Sequence, residues 1–174
     1  MIIKNFEINK INIKTNPFIL FHGKNEGLKN KAIDDLVKKK GNIANYEEKE
    51  ILDNPDIFLE NLYNKSLFEN EKIIIIKRAS DKILKIINEI IDKKINELII
   101  IINANALEKK SKLRSIFEKN KELICVAFYP DNEQTLAKVA HNFLKEKNIQ
   151  ISSSNLNLIL NKSNGDRENL INEL

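Results

Sequence analysis

A glycine and a lysine between residues 22 and 30 are spaced as in a loop that binds phosphate. The chain reads "HGKNEGLKN" over this stretch, directly after a short apolar run. Laid on the phosphate-loop pattern G-x-x-x-x-G-K-[ST], Gly23 matches the first glycine and Lys29 matches the lysine. Leu28 stands at the second glycine, and Asn30 stands at the hydroxyl residue that would hold magnesium.

These two departures remove the chemistry that the pattern needs. The second glycine lets backbone amides approach the phosphates, whereas a leucine brings a side chain into that space. An asparagine is a poor substitute for a magnesium-binding hydroxyl. A turn between a strand and a helix can also contain Gly and Lys with no role in phosphate binding. The sequence predicts a degenerate phosphate loop that binds no nucleotide, formed by Gly23, Gly27, Leu28, Lys29 and Asn30.

Two cations stand where a nucleotide hydrolase of this kind needs acids. The apolar run "KIIIIK" leads into Lys77 and Arg78, whereas such enzymes place carboxylates there to hold magnesium and polarise water. Cations would repel magnesium and cannot act as general bases near neutral pH. We interpret Lys77 and Arg78 as lost acid positions. Asn103 or Asn105 stands where related ATPases keep a polar γ-phosphate sensor.

The remaining candidate residues do not indicate catalysis. His22 lies at a strand end and His141 on the polar side of a predicted helix, and neither has a partner motif. Cys125 is the single cysteine and lies in the apolar run "LICVAFY", so we expect a reduced core thiol. The sequence therefore predicts no catalytic residue, no metal site and no cofactor.

Composition favours a soluble, globular, cytoplasmic protein. The chain has 174 residues, of which 42% are hydrophobic and 31% are charged. The net charge of +4 permits an acidic partner such as DNA without requiring one. No apolar run approaches the roughly 20 residues of a membrane span, and the first residues lack the features of a signal peptide.

Strand-like and helix-like segments alternate over the first 130 residues. Most of the strand-like runs are continuously apolar, which is typical of parallel strands buried on both faces. The intervening segments carry apolar residues at helical spacing. The fold class predicted is α/β, with a parallel five-stranded sheet and flanking helices. The five strands are expected at Phe18–His22, Asn45–Ile51, Lys72–Lys77, Leu98–Asn103 and Leu123–Tyr129.

The pattern changes to helices alone after Pro130. Three helices are predicted over residues 131–174, with "SSSN" at Ser152–Asn155 capping the second and "NGD" at Asn164–Asp166 turning into the third. We expect an α/β domain over residues 1–130 and a small helical domain over 131–174. Because the last helix has no C-terminal cap, we expect the chain to be part of a longer one.

Four segments together resemble the N-terminal part of the delta subunit of the bacterial DNA polymerase III clamp loader. They are "FILFHGKNEGL", "NKSLFENEKIIIIKRA", "LIIIINANALEKKSKLRSIFEKN" and "NGDRENLINEL". The resemblance extends over essentially the whole chain. It implies an AAA+-type domain, similar to P-loop NTPases, followed by a three-helix lid.

The resemblance also implies a function. Delta subunits neither bind nor hydrolyse ATP; they bind the ring-shaped sliding clamp (the beta subunit) and open it for loading on primed DNA during replication. The family's clamp contact matches Ser66, Leu67 and Phe68 here. Such a chain is a subunit of the polymerase holoenzyme. It would join the gamma/tau and delta-prime subunits mainly through a collar domain, expected beyond Leu174, and would meet primer–template DNA in the assembled loader.

The chain also departs from related proteins. Arg167 comes one place earlier than a lid sensor arginine, so we assign it no nucleotide role. No Ser-Arg-Cys motif precedes the fifth strand, which argues against the ATPase and delta-prime subunits. Two alternatives stay open: an active P-loop NTPase, and a stand-alone DNA-binding protein that uses Lys38–Lys40 and Lys109–Arg114. Leu67 and Phe68 could also be core residues.

Overall fold

The strands form one sheet in which every neighbouring pair is parallel. The computed structural model describes residues 1–38, 42–63, 72–95 and 97–174. Within these ranges the sheet has six strands in the order β1-β6-β2-β5-β4-β3. Their bounds are β1 Ile2–Lys4, β2 Phe18–Gly23, β3 Asn42–Glu47, β4 Lys72–Ala79, β5 Leu98–Ala104 and β6 Ile124–Phe128.

Helices cover both faces of the sheet, which explains why its central strands are apolar without alternation. One face packs against residues of α2, α3, α4 and α5. The other face packs against α1 and against Ile11 and Ile13. Among the described residues, short 3-10 helices span Asn5–Lys10 and Asp81–Ile83. The α-helices are α1 Glu26–Val37, α2 Glu48–Asp53, α3 Pro55–Tyr63, α4 Leu84–Lys93, α5 Lys112–Lys119, α6 Glu133–Lys147, α7 Ser153–Lys162 and α8 Arg167–Glu173.

The predicted α/β class and parallel sheet are confirmed, with two differences in the strands. The sixth strand is β1, which pairs with the edge of β6. It has three residues, and its Ile2 is 64% exposed, so it lacks the buried apolar run by which the others were found. The second predicted strand was placed too late, because Glu47 and Glu50 form a capping box that starts α2 at Glu48.

Helices α6, α7 and α8 enclose a small apolar cluster of their own. It contains Leu136, Ala140, Leu144, Leu156 and Leu170. Ser152 caps α7, as the sequence predicts, and Asp166, in the predicted turn at Asn164–Asp166, caps α8. In the described part of the chain, no helix is both long and apolar enough to cross a membrane.

Asp81 connects the start of α4 to the start of α5. Its carboxylate accepts hydrogen bonds from the Ser111 hydroxyl at 2.6 Å, from the Lys112 amide at 3.1 Å and from the Leu113 amide at 3.0 Å. These donors lie at a helix N-terminus, where backbone amides have no partner within the helix. The Ser111 hydroxyl and then the Leu113 amide hold the pKa of Asp81 below its ordinary value.

Replacing Asp81 should therefore destabilise the fold. We expect Asp81→Ala to lower the free energy of unfolding by about 1 kcal/mol, since a capping acceptor is lost. The folded-state pKa lies below the ordinary 3.8, so this stabilisation is present above that pH and is lost as the pH falls through the folded-state value. Urea unfolding at neutral and acidic pH measures both effects.

The control for this prediction is Asp92→Ala, which removes an exposed carboxylate from α4. It should change the unfolding midpoint little. An Asp81→Ala protein as stable as the parent at neutral pH would contradict the capping role.

Candidate functional site

The residues of the predicted phosphate loop lie at the end of β2 and in the first turn of α1. Gly23 ends β2 with φ +141°, and a Cβ there would lie 1.9 Å from the carbonyl oxygen of Phe128. Close packing against β6 thus explains this glycine without any ligand. Gly27, Leu28, Lys29 and Asn30 are all helical rather than part of an open loop.

Protein groups accept the hydrogen bonds that the start of α1 could offer to a phosphate. The first amides of a helix have no partner within the helix and commonly bind anions. Here the side chain of Asn25 caps the helix, and the carboxylate of Asp166 reaches it from α8. The four bonds are Glu26 N to Lys24 O at 3.2 Å, Gly27 N to Asp166 Oδ2 at 3.3 Å, Leu28 N to Asn25 Oδ1 at 3.1 Å and Lys29 N to Asn25 O at 3.1 Å.

Lys29 is turned into the protein instead of towards a ligand. Its side chain is fully buried, and its Nζ atom donates to Glu26 Oε1 and to the carbonyl oxygen of Ala104, both at 2.6 Å. A buried ammonium group is tolerated only when it is paired and hydrogen-bonded. Two short bonds meet that requirement, so Lys29 here acts as a tie between α1 and the end of β5.

The start of α8 lies directly on the first turn of α1. Asp166 accepts from the amides of Glu168 at 2.8 Å and Asn169 at 3.0 Å, and its other oxygen accepts from Gly27. A Cβ at position 27 would lie 2.4 Å from the backbone nitrogen of Glu168. Gly27 therefore permits the contact between the two helices.

Side-chain pairs reinforce this contact. Arg167 makes two parallel bonds to Asp131, from Nε to Oδ2 at 2.6 Å and from Nη2 to Oδ1 at 3.0 Å. Asp131 also accepts from Asn25 at 2.9 Å, and Asn30 donates to Glu168 at 3.0 Å. Bidentate arginine–carboxylate pairs are among the stronger polar contacts in proteins. The helical domain is thus held on the degenerate loop.

The space where a phosphate would lie is both filled and acidic. The backbone of α8 occupies the approach to Gly27. Carboxylates of Glu26, Asp131, Asp166 and Glu168 lie around the first turn of α1. A phosphate group would meet like charges and would have to displace hydrogen bonds that already exist. This arrangement suits contact between helices rather than phosphate binding.

The predicted lost acid positions lie within the last residues of β4. Lys77 and Arg78 are exposed, and Arg78 has φ +56° where the register of β4 against β5 shifts. The Nε atom of Arg78 lies 3.3 Å from a carboxylate oxygen of Glu47. Asn103 is buried in β5, whereas Asn105 is exposed and its carbonyl accepts from the Gly23 amide at 3.3 Å.

The two histidines occupy different surroundings. His141 is exposed on α6, as predicted. His22 is 4% exposed, and burial lowers its pKa to about 4, so the ring is neutral near pH 7. Cys125 is buried in β6 as expected, and burial raises its pKa to about 12.

The predicted clamp contact at Ser66, Leu67 and Phe68 lies outside the described residues. The described chain reaches Tyr63, where α3 ends, and resumes at Lys72, where β4 begins. The clamp contact therefore stays a prediction.

Sequence reasoning missed the residues that fill the loop. Asn25, Asp131, Asp166 and Glu168 were not singled out as site residues, and Arg167 was left without a role. Two of them carry a local signal, since Asn25 and Asp166 are capping residue types directly before helices. The pairing of α8 with α1 joins positions about 140 apart in sequence, for example Gly27 with Asp166, and has no local signal.

Comparison with known proteins identifies a fold but no family. No family model matches the chain, and no curated protein matches it. Among solved structures, it is similar to the DNA clamp loader delta protein YqeN of Bacillus subtilis, with a TM-score of 0.60 and 13% identity. That match covers 97% of this chain and 54% of the other.

Two further structures share the architecture. Domain III of the replication initiation protein DnaA of Thermotoga maritima matches with a TM-score of 0.55 and 14% identity, over 95% of this chain and 76% of that one. A mutant RuvB of Thermotoga maritima matches with a TM-score of 0.57 and 12% identity, over 89% and 52%. The chain thus has the fold of AAA+ domains, and it spans about half the length of the delta and RuvB chains.

A methyl group at position 27 should disturb the contact between α1 and α8. Replacing glycine by alanine inside a helix ordinarily stabilises it by about 1 kcal/mol. We expect the opposite for Gly27→Ala, a loss of about 1–3 kcal/mol, because the new Cβ would overlap the backbone of Glu168. Urea unfolding measures the sign.

The matched control is Lys31→Ala, at an exposed position of the same helix. It should leave stability nearly unchanged. A Gly27→Ala protein more stable than the parent would show that α8 does not lie tightly on α1.

Proposed function

We propose that this chain is a delta-type clamp-loader subunit that binds and opens a sliding clamp without binding or hydrolysing ATP itself. One observation carries the proposal: an AAA+ fold in which protein groups fill the phosphate-binding turn. Lys29 is paired internally, the first amides of α1 have protein acceptors, and α8 covers Gly27. The local resemblance of the sequence to delta subunits and the similarity to the Bacillus subtilis delta structure support the choice among AAA+ proteins.

A filled site has a mechanical consequence. In hinged nucleotide enzymes, ligand binding drives the closure of one part on another. Here the helical domain is already held by hydrogen bonds from Asn25, Gly27 and Asn30 to its carboxylates, with no ligand needed. Such a chain would serve as a rigid platform that partner subunits move as a unit, and ATP would act elsewhere in the assembly.

The NTPase alternative makes the opposite prediction for nucleotide binding. We expect isothermal titration of the protein with ATP and Mg²⁺ to give no binding heat, since phosphate would have to displace Asp166 and approach four carboxylates. An unfolding midpoint that is the same with and without ATP would agree with the absence of binding. Binding in the micromolar range would overturn this part of the proposal.

One cation of the DNA-binding alternative is turned inward, and another pairs with a carboxylate at the surface. Arg114 is 17% exposed and pairs with Glu118 at 2.7 Å, while it also donates to the Leu107 carbonyl. Lys110 lies 2.9 Å from Glu108. A DNA-binding surface needs lysines and arginines that are free to displace counterions. The pairing of Arg114 counts against it as a DNA contact of the isolated chain, and we propose that DNA contact occurs in the assembled loader.

The proposed clamp contact is a Leu-Phe pair that follows α3. The buried side chains of α3 include Phe58, Leu59 and Leu62, which anchor this helix to the sheet domain. Leu67 and Phe68 follow within a few residues. Large apolar side chains that enter a pocket on a partner commonly dominate the binding energy. By binding the clamp in a shape that suits its open ring, the subunit would lower the cost of opening.

The test is the double variant Leu67→Ala with Phe68→Ala, mixed with the sliding clamp of the same organism. Each truncation should cost about 2 kcal/mol of binding or more, so the complex should disappear at micromolar concentrations. The thermal unfolding midpoint should change little. Size-exclusion chromatography and titration calorimetry measure the complex.

A matched control is Leu158→Ala, which removes an apolar side chain that is 66% exposed on α7. It should bind the clamp as the parent does. If the double variant unfolds, or binds unchanged, the pair belongs to the core and the clamp contact lies elsewhere.

A further inference from the structure

Three side chains that could hold a metal ion meet between the sheet and α5. Leu20 of β2 is in register with Cys125 of β6. His22 lies two residues beyond Leu20, so its side chain leaves the sheet on the same face as that of Cys125. Helix α5 covers this face through Leu113 and Phe117 and contributes Glu118. The ring nitrogen, carboxylate oxygen and sulfur atoms lie within 4.8 Å of one another.

His22 supplies an independent sign that a ligand belongs there. Only 4% of its surface is exposed, and its Nε2 atom has no hydrogen-bond partner among the described residues. A buried polar atom left unpaired costs about 1–3 kcal/mol, so native proteins rarely keep one without a water or an ion. A neutral imidazole also keeps a lone pair free for a metal.

Glu118 gives the cluster its charge and its connection to solvent. Its Oε1 atom accepts from Arg114 Nε at 2.7 Å, which leaves the other carboxylate oxygen available. The Glu118 side chain is 29% exposed, whereas His22 and Cys125 are buried. An ion could therefore enter beside Glu118.

We propose that His22, Glu118 and Cys125 bind one zinc-like divalent cation, with a water molecule as the fourth ligand. A nitrogen, an oxygen and a sulfur donor suit Zn²⁺, while magnesium and calcium prefer oxygen alone. Zinc bonds of about 2.0–2.3 Å bring ligand atoms to roughly 3.5 Å from one another. The ligand atoms, which lie within 4.8 Å of one another, would therefore move closer together on binding.

Charge balance requires that the thiol ionise on binding. The cation forms a bond to sulfur, and the thiol proton leaves to solvent, so that one proton is released for each ion bound. The thiolate then offsets one positive charge of the ion, and the Glu118 carboxylate is shared between the ion and Arg114. This compensation matters because Arg114 lies beside the cluster. Bound in this way, the ion would join β2, β6 and α5.

The test uses metal-free protein titrated with Co²⁺ and, separately, with Zn²⁺. Cobalt bound to a thiolate absorbs in the near ultraviolet, and Cys125 is the single thiol in the chain. We expect one equivalent to saturate this band, zinc to abolish it by competition, and zinc to raise the unfolding midpoint by several degrees. The absence of the band in folded protein would overturn the proposal.

Variants separate this site from ions bound elsewhere. Cys125→Ala should lose both the band and the thermal shift. Glu118→Gln keeps a group that can accept from Arg114 and changes a half-buried side chain, so it should fold, and it should weaken zinc binding at least tenfold. His141→Ala, at the other and exposed histidine, should bind as the parent does. A thermal shift that persists in both Cys125→Ala and Glu118→Gln would place the ion at another site.

Discussion

The contact between the first turns of α1 and α8 depends on one requirement: the backbone amides at the start of α1 must have acceptors. In phosphate-binding loops a ligand meets this need. Here the Asn25 side chain accepts from the Leu28 amide, and the Asp166 carboxylate, at the start of α8, accepts from the Gly27 amide. Because one of the two acceptor side chains belongs to the helical domain, satisfying the amides also fixes that domain against the sheet domain. The same contact closes the site and sets the shape of the molecule.

Opposite charges lie next to each other throughout this contact and stabilise it. The N-termini of α1 and α8 each carry partial positive charge, and the carboxylate of Asp166 lies between them. Lys29 is buried with Glu26 as its counterion, while Arg167 is paired with Asp131. Because Lys29 is fully buried, removing Glu26 would leave an uncompensated buried charge, which is unfavourable. A nucleotide would have to break several such contacts, so the arrangement favours a static role.

Rigidity of this kind suits a protein whose proposed task is to bind another. Binding loses less conformational entropy when the surface is already ordered. The α1–α8 contact braces one side of the sheet, and the cluster of His22, Glu118 and Cys125 lies under α5 on the opposite face. A metal ion there would brace that second side. The α1–α8 contact and the proposed metal site both join elements that are far apart in sequence, and neither requires ATP.

The sequence by itself determined the buried strands and most of the helices, because their signals are local. Continuous isoleucine runs identify β4 and β5, since only strands buried on both faces need apolar residues at every position. The helix start at Ser152 was readable because a capping side chain bonds within its own turn. The loss of the phosphate pattern at Leu28 was equally visible.

Only the tertiary structure decided what replaced the lost ligand. Lys29 follows Leu28 in α1 and has no sequence signal of burial; its partner, the Ala104 carbonyl, is brought to it by β5 lying beside β2. Strand β1 is invisible locally because it is short and no residue in it is fully buried; backbone pairing with β6 and the partly buried Ile3 hold it. Periodicity reports which residues are buried, but the partner of a buried polar group depends on which elements pack together. That choice is made by contacts between distant parts of the chain.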